Sequence, residues 1–342
     1  MEYKKKFMYR AIQLAKNGLG TTSPNPMVGC VIEKNGLILS EGWHYKVGMY
    51  HAEINAINFV KNLSLLVDST LYVTLEPCVH FGKTPPCVDL IIKNRIPRVV
   101  IGAKDPCNKV NGLGIKKLRE YGIEVIENVL KTECRYLNKR FFTFYEKNRP
   151  YVILKWAQSY DGFMDNSIKK NSWISGIYSR QLSHKWRSEE DSILVGRKTV
   201  INDNPKLNVR KWFGNNPIRI VLDRNLSISD TYFVLDKTKY TIIFTEKKKE
   251  NHKNTEFVQI SFDKKIIKNI LNYLYKKNII SLIVEGGKMT LESFIKEKIW
   301  DESRIFICNI FLKKGLKSPI ISGKIFKKKY IGKDKLVIKI PF

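Results

Sequence analysis

One histidine, two cysteines and one acid set the first chemistry to consider. His51-Ala52-Glu53 is followed by Glu76-Pro77-Cys78 and then by Cys87. An imidazole and two thiolates are three ligands for zinc, which leaves a fourth tetrahedral position for water. Zinc lowers the pKa of a bound water to about 7, so hydroxide is available at neutral pH. Glu53 is not needed as a ligand and stands two residues from one. It is placed to take the water's proton and hand it on, which is general acid–base work. If both His51 and Glu53 lay in mid-helix, an offset of two would set them roughly 200° apart. His51 is therefore expected at a helix entrance, with the helix running through 54–60.

Residues 79–86 separate the cysteines. Gly82 and Pro85-Pro86 exclude a regular helix there and predict an ordered loop. His80 within it is a rival for either cysteine. A structural zinc site, or two unligated buried thiols, would use the same residues. A structural site normally closes its fourth position, however, and no fourth ligand is evident. His-x-Glu followed by Pro-Cys and a further Cys is the pattern of the zinc nucleobase deaminases.

A second chemistry attaches to Glu285-Gly286-Gly287-Lys288-Met289-Thr290. Glycines between a strand and a helix leave backbone N–H groups bare at a helix N-terminus, where a phosphate can sit. A Gly-Gly pair is as often a plain turn. No Gly-x-Gly-x-x-Gly follows a strand, so a Rossmann dinucleotide site is not expected.

The elements that must hold these groups alternate. Strands are expected at 28–32 and 37–40, joined by a hairpin turn at Asn35-Gly36, and at 70–75, 98–102 and 124–126. Helices are expected at 8–15, 88–94 and 114–121. Alternation of this kind implies a layered α/β domain. A second organisation starts near Asn148-Arg149-Pro150, which gives domains 1–147 and 148–342. Its strands are expected at 151–157, 191–196, 218–222, 240–244 and 281–284, with a turn at Tyr160-Asp161-Gly162. Its helices are expected at 266–277, on apolar spacing, and 291–295. The lysine-rich run 246–253 reads as a solvated loop.

At 342 residues the chain has room for about two cores. No apolar stretch reaches about 18 residues, which excludes a membrane-spanning helix. The N-terminus reads as an amphipathic helix and not as a signal peptide, so a reducing cytoplasm is the simplest compartment. Six cysteines in so long a chain make no disulfide framework. The formal charge of +29 has two readings. It suits a polyanion partner, but the lysines are spread through every segment among Ile and Asn, as a bias of the whole composition would spread them.

Taken together, these residues resemble the bifunctional deaminase–reductase family of riboflavin biosynthesis. The first half is similar through Thr22-Ser23-Pro24-Asn25-Pro26-Met27-Val28-Gly29, Gly42-Trp43-His44, His51-Ala52-Glu53 and the run 72–87, whose eight-residue cysteine gap is characteristic of the family. The second half is similar through 155–162, Trp173-Ile174-Ser175, Gly196, Thr199-Val200, 203–207, Val209-Arg210 and 284–287. The match thins after about residue 303. The resemblance implies an α/β protein with an N-terminal cytidine-deaminase-like three-layer domain and a C-terminal dihydrofolate-reductase-like domain. It implies hydrolysis of the 2-amino group of a diaminopyrimidinone that carries a phosphoribosylamino arm, then reduction of that arm to ribityl with NADPH.

Site roles follow from the same resemblance. His51, Cys78 and Cys87 would hold Zn2+, with Glu53 as proton shuttle. Asn25, His44, Lys83 and Asp105 would line the deaminase pocket. Gln158, Trp173, Thr199, Asp203 and the turn Gly287, Lys288, Met289, Thr290, Leu291, Glu292 and Ser293 would contact NADPH. Asn171, Arg187, Leu207, Arg210 and Glu285 would contact the substrate, the arginines gripping its phosphate. The implied partners are a phosphorylated pyrimidine and further copies of the chain, with no nucleic acid and no membrane. Two departures stand out. Cys107-Asn108 follows Asp105-Pro106 where the family has Asn-Pro, which removes a side-chain amide, and the tail to Phe342 reads as short. The competing readings are a zinc deaminase acting on tRNA or single-stranded DNA, and a zinc-stabilised binding protein without turnover.

Overall fold

The computed structural model describes residues 4–81, 85–165 and 173–342, in two units divided between Asn148 and Arg149. Lys83 and Asn171 therefore lie outside the described residues.

In the first unit, Asn35 and Gly36 both take positive φ (53° and 84°) and turn β1 (Gly29–Lys34) directly onto β2 (Leu37–Trp43). This is the two-residue turn whose twist matches paired strands. β1 also pairs with β3 (Thr70–Leu75), antiparallel; β4 (Arg98–Ala103) and β5 (Glu124–Ile126) then follow in parallel, giving the order β2-β1-β3-β4-β5. Alternate residues of these strands enter opposite cores, because successive side chains of a strand point to opposite faces. Cys30, Ile32, Leu71, Val73, Val99 and Ile101 face α2 (Ala52–Asn58), α3 (Cys87–Lys93) and α4 (Leu113–Glu120). Val31, Tyr72 and Val100 face α1 (Lys5–Ala15), α5 (Lys131–Leu137) and α6 (Lys139–Lys147). The unit thus has three layers, helix–sheet–helix. The last two helices were not anticipated from the sequence.

The second unit is built on nine strands in the order β11-β10-β9-β8-β12-β6-β13-β16-β15. They are β6 (Tyr151–Ser159), β8 (Ser192–Gly196), β9 (Ile218–Leu222), β10 (Thr241–Thr245), β11 (Thr255–Gln259), β12 (Ser281–Val284), β13 (Glu302–Cys308), β15 (Lys324–Ile331) and β16 (Asp334–Ile340). Seven are mutually parallel, and β16 and β15 close the edge antiparallel. β7 (Phe163–Asp165) pairs separately with β14 (Leu316–Lys317). One face packs on α9 (Ile266–Lys276) and α10 (Lys288–Lys296) through Val152, Leu154, Ile242, Leu282, Ile270 and Phe294. The other carries Ile153, Ile193, Val221 and Ile283 against Trp186 of α7 (Ile177–Glu189) and Val200 of α8 (Arg197–Asp203). Fully burying one such side chain stabilises the fold by about 1.5–3 kcal/mol. From Glu302 onward the chain contributes three strands, β13, β15 and β16, to the large sheet. The solvated run is as expected, with 247–254 exposed.

Candidate active sites

His51 caps α2 in extended conformation (φ −73°, ψ 167°), which frees its ring from the helix surface. Its Nδ1 lies 3.5 Å from Cys78 Sγ and 3.4 Å from Cys87 Sγ. All three ligand atoms fall within 4.8 Å of one another, and among the described residues no fourth side chain joins them. Cys78 follows β3, and Cys87 opens α3 with its N–H 3.4 Å from Cys78 Sγ. A hydrogen bond from Cys87, together with His51 and that N–H, brings the Cys78 thiol down to about 4 despite burial. The same bond and burial push Cys87 up, and the bond to Cys78 raises His51. A thiolate already present beside a nearby imidazole suits zinc, whose binding expels the remaining protons. His80 is exposed and outside the group.

Glu53 sits in the first turn of α2, 3% exposed. Burial pushes its carboxyl up to about 7, against the pull of His51. Gly42 in β2 permits α2 to lie this close, because a Cβ there would stand 2.5 Å from Ala52 O and from Ala56 N. His44 is buried, and its Nδ1 is 3.0 Å from Tyr50 O. A carbonyl only accepts, so Nδ1 donates and Nε2 is left to accept from Asn25 Nδ2 at 3.3 Å. Burial also lowers the His44 pKa, favouring the neutral ring. The ring meets His51 edge-on at 5.3 Å between centroids. Asn25, His44 and His51 therefore form one connected run.

Asp105 is 7% exposed, and burial pushes its carboxyl up to about 7, with Glu76 and Cys78 adding to the rise. Its Oδ1 accepts the Cys107 N–H at 2.7 Å. The departure at Cys107 thus keeps its backbone contact to Asp105, while Asn108 is exposed.

In the second unit Glu285, at the end of β12, takes both arms of Arg187: Nε to Oε1 at 3.1 Å and Nη2 to Oε2 at 2.6 Å. Lys155 Nζ stands 3.8 Å from the same carboxylate. Burial opposes the charge of Glu285, but Arg187 and Lys155 outweigh it and hold the carboxyl at about 2. Arg187 and Lys155 border a cavity also lined by Trp173, Arg180, His184, Arg210 and Lys211. His184 Nδ1 accepts the Arg210 N–H at 3.4 Å. Burial, then Arg187 and Arg210, lower its pKa to about 4, so it is neutral at pH 7. Arg210 Nη1 reaches Asn208 Oδ1 at 3.1 Å. Four of the lining residues, Lys155, Arg180, His184 and Lys211, were not singled out from the sequence; only their cationic or imidazole type hinted at them.

Beside this cavity's carboxylate two helix starts meet. Gly196 precedes α8, Gly286-Gly287 precede α10, and Gly196 N–H donates to Gly286 O at 2.9 Å. Gly286 has φ 119°, open to glycine but strained for other residues. A Cβ on Gly196 would stand 2.7 Å from Thr290 Oγ1, and one on Gly287 3.1 Å from Thr199 Oγ1. Two hydroxyls at adjoining helix N-termini, where the helix dipoles present positive ends, favour phosphate oxygens. Elsewhere Met289 is 70% exposed, Glu292 pairs with Lys288 at 3.6 Å, and Ser293 Oγ donates to Met289 O. Leu291 and Leu207 are buried in the core, so only their backbones can meet a ligand. Gln158 Oε1 accepts from Trp156 Nε1 at 2.8 Å, Trp173 lies under the Arg180 guanidinium, and Asp203 ends α8 in solvent.

Residues 1–103 match the cytidine and deoxycytidylate deaminase zinc-binding region, and residues 150–336 match the RibD C-terminal domain. Riboflavin biosynthesis protein RibD of Aquifex aeolicus (strain VF5) is 42% identical over 322 residues, 92% of this chain and 89% of that protein. The chain belongs to the riboflavin biosynthesis protein RibD family. Its counterpart in Bacillus amyloliquefaciens is 38% identical, over 94% of this chain and 88% of that one. Among solved structures, a diaminohydroxyphosphoribosylaminopyrimidine deaminase/5-amino-6-(5-phosphoribosylamino)uracil reductase from Thermotoga maritima superposes with a TM-score of 0.90 at 38% identity. It covers 99% of this chain and 98% of that one. RibD of Acinetobacter baumannii gives 0.90 at 30% identity, with 99% and 98% covered. The protein is therefore an enzyme that joins a zinc-dependent deaminase to a reductase using NADPH.

Proposed function

We propose that the first unit removes the 2-amino group of 2,5-diamino-6-(5-phosphoribosylamino)pyrimidin-4-one and that the second reduces the ribosyl arm of the product to ribityl. The observation that carries the first step is the buried carboxyl of Glu53 two residues from a three-ligand His-Cys-Cys group. When bound, zinc supplies a Lewis acid that acidifies water. A carboxyl held near 7 exchanges its proton readily at neutral pH, so Glu53 can take a proton from water and deliver it to the ring nitrogen and the departing amine. His44, kept neutral, and Asn25 orient the ring, and Asp105 faces it from the opposite loop.

In the second unit NADPH supplies the hydride. Arg187 and Arg210 hold the substrate phosphate, and the N-termini of α8 and α10 with Thr199 and Thr290 hold the cofactor. Arg187 is already fixed by Glu285, so little side-chain freedom is lost when it meets an anion. A polynucleotide deaminase would leave this whole unit without a role.

The partner is a small phosphorylated pyrimidine, and the chain acts as a homo-oligomer in the cytoplasm. Six cysteines without a disulfide agree with that compartment. Among the described residues no helix is long and apolar enough to cross a membrane. The test is incubation with the diaminopyrimidinone phosphate, with and without NADPH, following ammonia and NADPH oxidation separately. Ammonia in both arms, and oxidation only where NADPH is present, is the expected outcome. Ammonia without oxidation would remove the reductase assignment, and neither signal would remove both.

A further inference from the structure

Glu76 opens the Glu-Pro-Cys motif, two residues before a zinc ligand, yet neither the sequence pattern nor the proposed chemistry gives it a task. It is 3% exposed, and the candidate metal-binding group of His51, Cys78 and Cys87 does not include it. Its carboxylate instead collects four backbone N–H groups from a segment some 30 residues downstream. Oε2 accepts from Asp105 at 3.2 Å and Gly112 at 3.0 Å; Oε1 accepts from Gly114 at 3.0 Å and Ile115 at 3.3 Å.

Two of these donors belong to the first turn of α4, which no side chain of its own N-cap, Gly112, serves. Glu76 thus caps α4 from a distance, where an anion is favoured. A third donor is the amide of Asp105 itself. One buried side chain therefore ties the loop bearing Cys78 to the loop bearing Asp105. The two segments approach closely enough to require Gly114, where a Cβ would stand 2.3 Å from Pro77 O and 3.2 Å from Glu76 Oε1.

We propose that Glu76 is a positioning residue that fixes Asp105 in the deaminase pocket and so sets how tightly the pyrimidine is held. The proposal rests on the reading that Asp105 faces the substrate. It differs from a plain folding role in what it couples, because the effect of losing Glu76 passes through Asp105.

The experiment uses the full zinc-loaded chain and its Glu76→Gln, Asp105→Asn and doubly substituted forms. Ammonia release gives kcat and KM, metal analysis gives zinc per chain, and NADPH oxidation on pre-deaminated substrate reports the other unit. Glu76→Gln is expected to raise the deaminase KM about tenfold, the usual scale for a supporting hydrogen-bond partner, with zinc content and NADPH oxidation unchanged. In the Asp105→Asn background the same change is expected to have less than about a twofold effect, since neighbours acting through one another are not additive. Additive losses, an unchanged KM, or loss of zinc would each overturn the proposal. If Glu76→Gln fails to fold, Glu76→Asp keeps the charge but shortens its reach to the Asp105 and Gly112 amides, and the same KM rise and the same non-additivity are required of it. Absence of ammonia release from the unaltered chain would instead sink the functional reading, and the proposal with it.

Discussion

Glu53 and Glu285 are the same residue type, both withdrawn from water, and they end in opposite states. Glu53 stands where burial outweighs the one imidazole beside it, and its carboxyl is pushed up to about 7. Glu285 stands between Arg187 and Lys155, and despite its own burial its carboxyl is held at about 2. Desolvation acts on both, and the neighbouring charge decides the sign. The first environment makes a carboxyl that trades protons near neutral pH. The second makes an anion that anchors Arg187 and Lys155 beside a cavity lined by cations. Under the proposed function, the same side chain serves proton transfer in one unit and anion recognition in the other.

The largest expected effect tests the first half of that contrast. Glu53→Gln should keep zinc and lower ammonia release by at least about a hundredfold, within the range general acid–base groups contribute. Substantial remaining deamination in a steady-state assay would take the proton work away from Glu53. On the other side, Arg210→Ala should raise KM for the phosphorylated reductase substrate by about ten- to a hundredfold, the scale of lost hydrogen bonds to a charged group. KM for NADPH should stay as it was, and equal weakening of both would point to a folding defect.

The pH dependence of stability sharpens the comparison further. The folded Glu285 pKa lies below its ordinary 4.5, so its contribution is present above that pH and is lost as pH falls toward 2. The amount is about 3 kcal/mol. His184, lowered from 6.5 to about 4, acts in the same direction as pH falls through that interval. Denaturant titrations at pH 7 and pH 3 should show the loss, and Glu285→Gln should flatten it; an unchanged slope in that variant would dismiss Glu285 as its source. The smallest effect concerns the scaffold of the zinc group. Gly42→Ala forces a Cβ onto the backbone of α2 and should cost about 1–3 kcal/mol, visible as a lower denaturation midpoint with weaker zinc retention. Full stability in that variant would mean α2 does not need its close seat.

Much of the first unit was legible because its signals are local. Asn35-Gly36 specifies a hairpin by the positive φ of both residues, and the offset of two between His51 and Glu53 already required a helix entrance there. The helices at 131–147 were passed over although Cys134, Leu137, Phe141 and Phe142 repeat on one face. In the second unit α7 was hidden for a different reason. Its buried residues are Ser179, Ser183, His184, Trp186 and Ser188, so it has almost no apolar stripe to read. β15 was hidden by its lysines: seven of its eight residues are exposed, as suits an edge strand protected against further pairing. Arg180, Lys211 and Lys155 could not be grouped in advance, because nothing local links positions that far apart.

By itself the sequence determined the candidate donor set for zinc, the acid beside it and the alternation of strands and helices. Each of these depends on residue type and short spacing, which the covalent chain carries directly. Only the tertiary structure decided that the Glu53 carboxyl is raised to about 7 while Glu285 is held at about 2, that Glu76 reaches the amide of Asp105, and that five cationic side chains share one cavity. Burial and the approach of charges distant in sequence are set by packing, and no local pattern encodes them.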